Sequence, residues 1–185
     1  MSEVAPPASA GEVVAFWTAA GPDRWFNKDD AFDAEIRRRF LATHEAAAAG
    51  TLAAWEQSAE GALALLILLD QFPRNMFRGS ARAFATDSEA RAITAAALLR
   101  GFDAQVPANL RSFFYLPFEH SEDMADQERG LALYTAAGDA DGLKWAQIHA
   151  DIIRRFGRFP HRNAVLGRTT TPDEQAFLDA GGFAG

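Results

Sequence analysis

Eight consecutive apolar residues, Ala62 to Leu69, interrupt a chain in which polar and apolar positions otherwise alternate at helical spacing. A segment with no polar face is expected to be a helix buried on all sides. It runs directly into Asp70, Gln71 and Arg74, groups that cannot be left unpaired at that depth without a large penalty. The rest of the chain must therefore supply partners at the end of this helix.

The remaining pattern is helical throughout. Ser9 is placed to cap a helix through Ala20 carrying Val13, Val14, Phe16 and Trp17, with Gly21-Pro22 as its stop. Trp25 and Phe26 sit in a connecting loop, and both rings are expected to be sheltered. Asp29 or Asp30 opens a second helix to Ala49, with Phe32, Ile36 and Phe40 on one face. Its Arg37-Arg38-Arg39 triplet reads as a solvated face paired with Asp33 and Glu35. Thr51 caps a short helix with Leu52 and Trp55, and the buried helix follows from Ser58 to Gln71. Pro73 predicts a sharp change of direction there, because it removes a donor and disfavours helix at Phe72.

Further helices are expected at Ser88–Arg100, Leu110–Leu116 (ended by Pro117), Glu122–Ala137 (capped by Ser121), and from Asp139 or Asp141 to Phe156. Trp145, Ile148, Ile152 and Phe156 form the core stripe of the last of these, with His149 beside it. Thr171-Pro172-Asp173-Glu174 is the signature of a capping box with proline at the first helical position. No strand pattern is present. The expected fold is all-α: a flexible, proline-containing tail at 1–8, then one domain at 9–185 of about eight helices joined as antiparallel hairpins.

Size and charge narrow the function. At 185 residues the chain suits a single domain with a substantial core. A net charge of −7 argues against nucleic acid, which requires a basic surface. The absence of cysteine excludes disulfides, thiolate metal sites and a cysteine nucleophile. The apolar run is far short of the roughly 20 residues that span a bilayer, and the first residues lack the pattern of a signal peptide. A soluble cytoplasmic protein with no membrane partner is the expectation. Only two of the 18 basic residues, Lys28 and Lys144, are lysine; arginine suits ion pairs with carboxylate or phosphate, although an alanine-rich composition offers a plainer origin.

Three polar segments carry the candidate chemistry. In the first, Asp70 is within one and two helical turns of Arg74 and Arg78; the plain alternative is an ion pair fixing the exit from the buried helix. In the second, the aromatic run Phe113–Phe118 leads into Glu119, His120, Glu122 and Asp123. Carboxylates in the first turn of a helix are ordinary, which accounts for Glu122 and Asp123 but not for Glu119 and His120. In the third, His149 is followed by Arg158, His161 and Arg162 around the turn after Gly157; a lone histidine beside an apolar stripe is more often a hydrogen-bonded core residue, and cations after a helix are favourable anyway. Residues 119–128 carry five acids and no base, whereas 151–168 carry five arginines and one acid. The three segments are therefore expected to face one another across the end of the buried helix.

The leading functional expectation is a binding or interaction module whose Arg/His/carboxylate cluster lines a groove for a peptide or protein. The first alternative is an enzyme or small-ligand binder in which Arg74, Arg158 and Arg162 hold a carboxylate or phosphate while His120 or His161 moves a proton. The second is a divalent-metal protein, for which imidazole and oxygen ligands would suit zinc, iron or manganese. No HExxH pattern is present, so no metal ligand is assigned and no cofactor is called for.

The segments Asp70-Gln-Phe-Pro-Arg-Asn75, Leu116-Pro-Phe-Glu-His-Ser-Glu-Asp123 and Arg155-Phe-Gly-Arg-Phe-Pro-His-Arg-Asn163 resemble the signature blocks of the bacterial domain-of-unknown-function family DUF924. The likeness covers nearly the whole chain. It implies an all-helical fold similar to tetratricopeptide repeats and carries over no activity.

Overall fold

Why a proline fails to end the buried helix is the central feature of the architecture. In the computed structural model, which describes residues 7–183, an α-helix at Ala59–Leu66 continues through one π-helical turn, Ile67–Gln71, into Phe72–Met76. Phe72 keeps right-handed helical angles, and its amide donates to Ile67, five residues back. The helix is not interrupted at Pro73, because the wider turn takes in the residue before it without breaking the run of helical residues. Two carbonyls lose their usual donors: that of Leu68, because the Phe72 amide is used elsewhere, and that of Leu69, because Pro73 has none. His44 Nδ1 meets the first at 2.9 Å, and the Thr86 hydroxyl donates to the second at 2.6 Å. Side chains from elsewhere in the fold thus complete the backbone, as a buried helix requires.

The chain forms two compact units, Met1–Arg78 with Arg82–Pro117 and Gly79–Ala81 with Phe118–Gly185. Most of the expected tail, residues 1–6, lies outside the described residues. The described chain is all-helical, with no strand. No helix among these residues is long and apolar enough to cross a membrane.

In the first unit α1 (Ala10–Ala20) and α2 (Asp30–Ala48) pack on α3 (Ala59–Leu66) and its continuation α4 (Phe72–Met76), with α5 (Asp87–Leu99) also against α3. Ser9 with Glu12 forms a capping box, and Asp29 caps α2. Ala62 to Leu69 are all buried. Gly61 is required at the start of α3, since a Cβ there would lie 2.1 Å from the Trp55 carbonyl oxygen. Phe16, Trp17, Phe32, Phe40, Phe72 and Phe113 interlock around this core. Trp25 is sheltered, as expected, with its indole N–H on the Trp17 carbonyl at 2.7 Å. Phe26 is not: it is 66% exposed, because the short helix Pro22–Trp25 ends just before it. Of the arginine triplet, Arg39 pairs with Glu35, but Arg37 donates to the Met76 carbonyl.

In the second unit α6 (Met124–Ala137) and α7 (Ala140–Phe156) form a hairpin, and α8 (Pro172–Asp179) follows an irregular segment. Ile152, Ile153 and Phe159 are its core, with Met124, Ile148, Phe156, Phe177 and Phe183 against them. Two sequence expectations fail here. Pro117 does not end a helix but lies inside the one-turn helix Leu116–Glu119. Asp123, not Ser121, caps α6, so Glu122 is outside that helix and is not a first-turn carboxylate. Of the expected stripe on α7, Ile152 is buried and Ile148 and Phe156 pack against the core, but Trp145 is 50% exposed; Ala146, His149, Ala150 and Ile153 are buried beside Ile152. The small side chains of Ala146 and Ala150 allow the close approach that Trp145 would prevent.

Candidate functional site

The first polar segment forms a network within the first unit. Asp70 is 1% exposed, and Arg74 Nη1 stands 3.3 Å from its Oδ1. The same guanidinium forks onto Asp87, at 3.0 and 3.1 Å, and also donates to the Asp70 carbonyl. Burial opposes the charge on Arg74, but Asp70 and Asp87 outweigh it and hold the guanidinium above its ordinary pKa. Gln71 donates to Asp70 Oδ2 at 2.6 Å. Arg78 does not join this network. It binds Asp33 at 2.8 and 3.1 Å, and Asn75 donates to the same carboxylate at 2.7 Å. Every group here has a structural task, and the acids Asp33 and Asp87 were not foreseen because each lies far from its arginine in sequence.

The second and third segments do meet. His149, 6% exposed, directs Nδ1 at Glu119 Oε1, 3.0 Å away, and at the Trp145 carbonyl, 2.9 Å away. Both are acceptors, so Nδ1 carries the hydrogen and the lone pair is on Nε2. Glu119, 3% exposed, favours an imidazolium at this distance. Burial is the largest influence on the ring: it outweighs the hydrogen bond to the Trp145 carbonyl and, with the positive fields of His120, Arg162 and His161, lowers the His149 pKa to about 3. The His120 ring lies 6.3 Å from that of His149; Phe159 and Phe183 stand edge-on to it at 5.5 and 4.5 Å. His161 packs on the same two rings at 5.7 and 5.5 Å. Arg162 is buried with its guanidinium over Phe159 at 4.4 Å. The result is a neutral, hydrogen-bonded imidazole surrounded by aromatic edges and positive charge.

Glu122 and Arg158 serve as supports. Arg168 forks onto Glu122 at 2.7 and 3.0 Å, and the Phe159 amide donates to Glu122 at 2.7 Å. Burial opposes ionisation of Glu122, but Arg168, the Phe159 amide and Arg162 together lower its pKa. Arg158 forks onto Glu174 at 2.6 and 2.8 Å, and holds that carboxylate, with the Thr171 cap, at a pKa of about 2. Glu174 thus closes the capping box of α8 and anchors the turn that presents His161 and Arg162.

Gln127 is a residue that sequence reasoning missed. Buried in α6, it directs Nε2 at three carbonyls, those of Ser121 (2.6 Å), Glu119 (2.7 Å) and Phe118 (3.4 Å). It thereby fixes the backbone that aims Glu119 and His120. Replacing Gln127 by leucine strips these carbonyls of their donor and should cost about 1–3 kcal/mol in urea unfolding; a change of a few tenths would show that Gln127 is not the clamp. Only its spacing from the Glu119-His120 pair could have indicated it. Phe183 gave no sequence signal, and Arg168 was visible only as one of the five arginines of residues 151–168.

No group of three or more histidine or acidic side chains among the described residues is placed to hold a metal ion. Among the described residues, the exposed large apolar side chains are Phe26 and Leu99 in the first unit and Trp145 and Leu166 in the second, and single exposed residues of this kind are ordinary.

Residues 13–182 match the family described as bacterial protein of unknown function (DUF924). The solved structure of a protein of unknown function from Agrobacterium tumefaciens is similar at 50% identity, covering 92% of this chain and 97% of that one, with a TM-score of 0.90. No curated protein matches the chain significantly.

Proposed function

As the chain belongs to the bacterial DUF924 family, which brings no activity with it, we propose from the geometry that the second unit is a small-ligand site for an anion, a phosphate or a carboxylate. The observation that carries this reading is the buried Glu119–His149 pair, 3.0 Å apart. A carboxylate that orients an imidazole through Nδ1–H leaves Nε2 as a fixed acceptor, and a neutral His149 puts no like charge against Arg162. Arg162 offers a planar fork suited to a carboxylate or phosphate, and His120 and His161 add donors beside it. Acid–base work on the ligand would fall to the histidines. The interaction-module reading draws less support, because the buried polar side chains cluster under aromatic rings rather than along an open groove.

Inorganic phosphate is a direct probe. Specific binding raises stability by about 2.7 kcal/mol at 100 times the dissociation constant, whereas excluded-salt effects act on any variant. A saturable rise in Tm with phosphate should appear in the native protein and be lost in His161→Ala, which itself folds with little loss. An equal rise in both proteins, or none with phosphate or acetate, would overturn the proposal.

A further inference from the structure

Phe183 is the ring nearest His149, with centroids 4.5 Å apart, and it also lies 5.5 Å from His161. The turn after α8 brings it there. The Gly181 amide donates to the Leu178 carbonyl at 3.0 Å, and the Gly182 amide to that of Phe177 at 2.9 Å. Gly181 has a φ of +78°, which favours glycine. A Cβ on Gly182 would lie 2.5 Å from the Phe177 ring, which is itself packed on Phe156 with centroids 5.2 Å apart. A fixed aromatic base, two glycines in succession and the Phe183 ring thus form a short strap on a firm anchor.

His149 is buried while Phe183 is only partly so, which makes the ring the outer layer of the two. The ring is held by its contacts with His149 and His161, by packing at the edge of the Ile152–Ile153–Phe159 core and by the turn after α8, and a partly exposed segment of this kind opens locally at lower cost than the whole fold. Glycine pairs at the end of a helix absorb the backbone rotation that such opening needs.

Resting on the anion-site reading, we propose that Gly181–Phe183 is a gate over His149: the Phe183 ring closes the imidazole from water, and a ligand reaches it only when the ring swings aside. Within this reading Phe183 also decides selectivity, since a ligand must replace the ring contacts it displaces.

Diethylpyrocarbonate labelling of unprotonated imidazoles tests the gate without a ligand. His44, buried in the first unit, is the internal reference for global unfolding. The ratio of His149 to His44 labelling should rise about tenfold or more in Phe183→Ala, as expected when a local opening step is removed. Gly182→Ala, which displaces the ring without deleting it, should raise the same ratio. An unchanged ratio in both variants overturns the gate. A raised ratio in a protein that shows no phosphate binding would leave the gate standing and sink the anion reading alone.

Discussion

Replacing Arg74 by methionine is expected to destabilise the protein by about 3–5 kcal/mol, the cost of leaving buried charge uncompensated. One guanidinium serves Asp70 at 3.3 Å and Asp87 at 3.0 and 3.1 Å, and it also satisfies the Asp70 carbonyl at the end of the π turn. Methionine fills similar space but leaves two shielded carboxylates facing each other. Arg78→Ala is the internal control. That arginine is 41% exposed in its pair with Asp33, and exposed pairs contribute about 1 kcal/mol or less. Urea unfolding of both variants, with unchanged slopes, gives the comparison. Similar losses would show that the buried network is no more than a surface ion pair.

Acid should destabilise the protein well before its carboxylates titrate. His149 titrates at about 3 in the folded chain, against 6.5 as its ordinary value. Between these values the unfolded chain takes up a proton that the folded one refuses. The stability from a neutral His149 is therefore fully present above pH 6.5, declines as the pH falls below it, and levels off near pH 3. The loss should reach about 2 kcal/mol by pH 5 and about 5 kcal/mol at the lower limit. Burial lowers the His44 pKa as well, which adds to the loss in the same direction. Glu122 and Glu174 act in a lower window: their pKa values are depressed, so their contribution is intact above 4.5 and is lost only as the pH falls through the folded values. The decline between pH 6.5 and 5 thus belongs to histidine. His149→Gln should flatten most of it, leaving the part due to His44; an unaltered pH profile would show that His149 is not held neutral.

The elements that were legible in the sequence are those whose signals are local. Ser9 with Glu12 and Thr171 with Glu174 form capping boxes because a capping oxygen and a glutamate three residues on need nothing from the rest of the chain. The burial of Ala62–Leu69 followed from the lack of any polar position. Pro73 misled because its steric rule assumes an α turn, and the π turn before it depends on His44 and Thr86 from distant helices. On α7 the stripe of Ile148, Ile152 and Phe156 was legible, but Trp145 was misplaced because its bulk outweighed the small size of Ala146 and Ala150, which are buried in its stead. In the site, the acid–base composition of residues 119–128 and 151–168 pointed to pairing between them, and Glu122 with Arg168 is such a pair, whereas Glu119 with His149 lies outside that pattern. Which arginine serves which acid was not legible, since Arg168–Glu122 and Arg74–Asp87 are set by tertiary approach.

Long-range nitrogen-15 NMR of the histidine side chains bears most directly on the Glu119–His149 pair. The pair predicts a neutral His149 with hydrogen on Nδ1 and a bare Nε2, unchanged from pH 8 down to pH 5. An imidazolium signal at neutral pH, or hydrogen on Nε2, would contradict it.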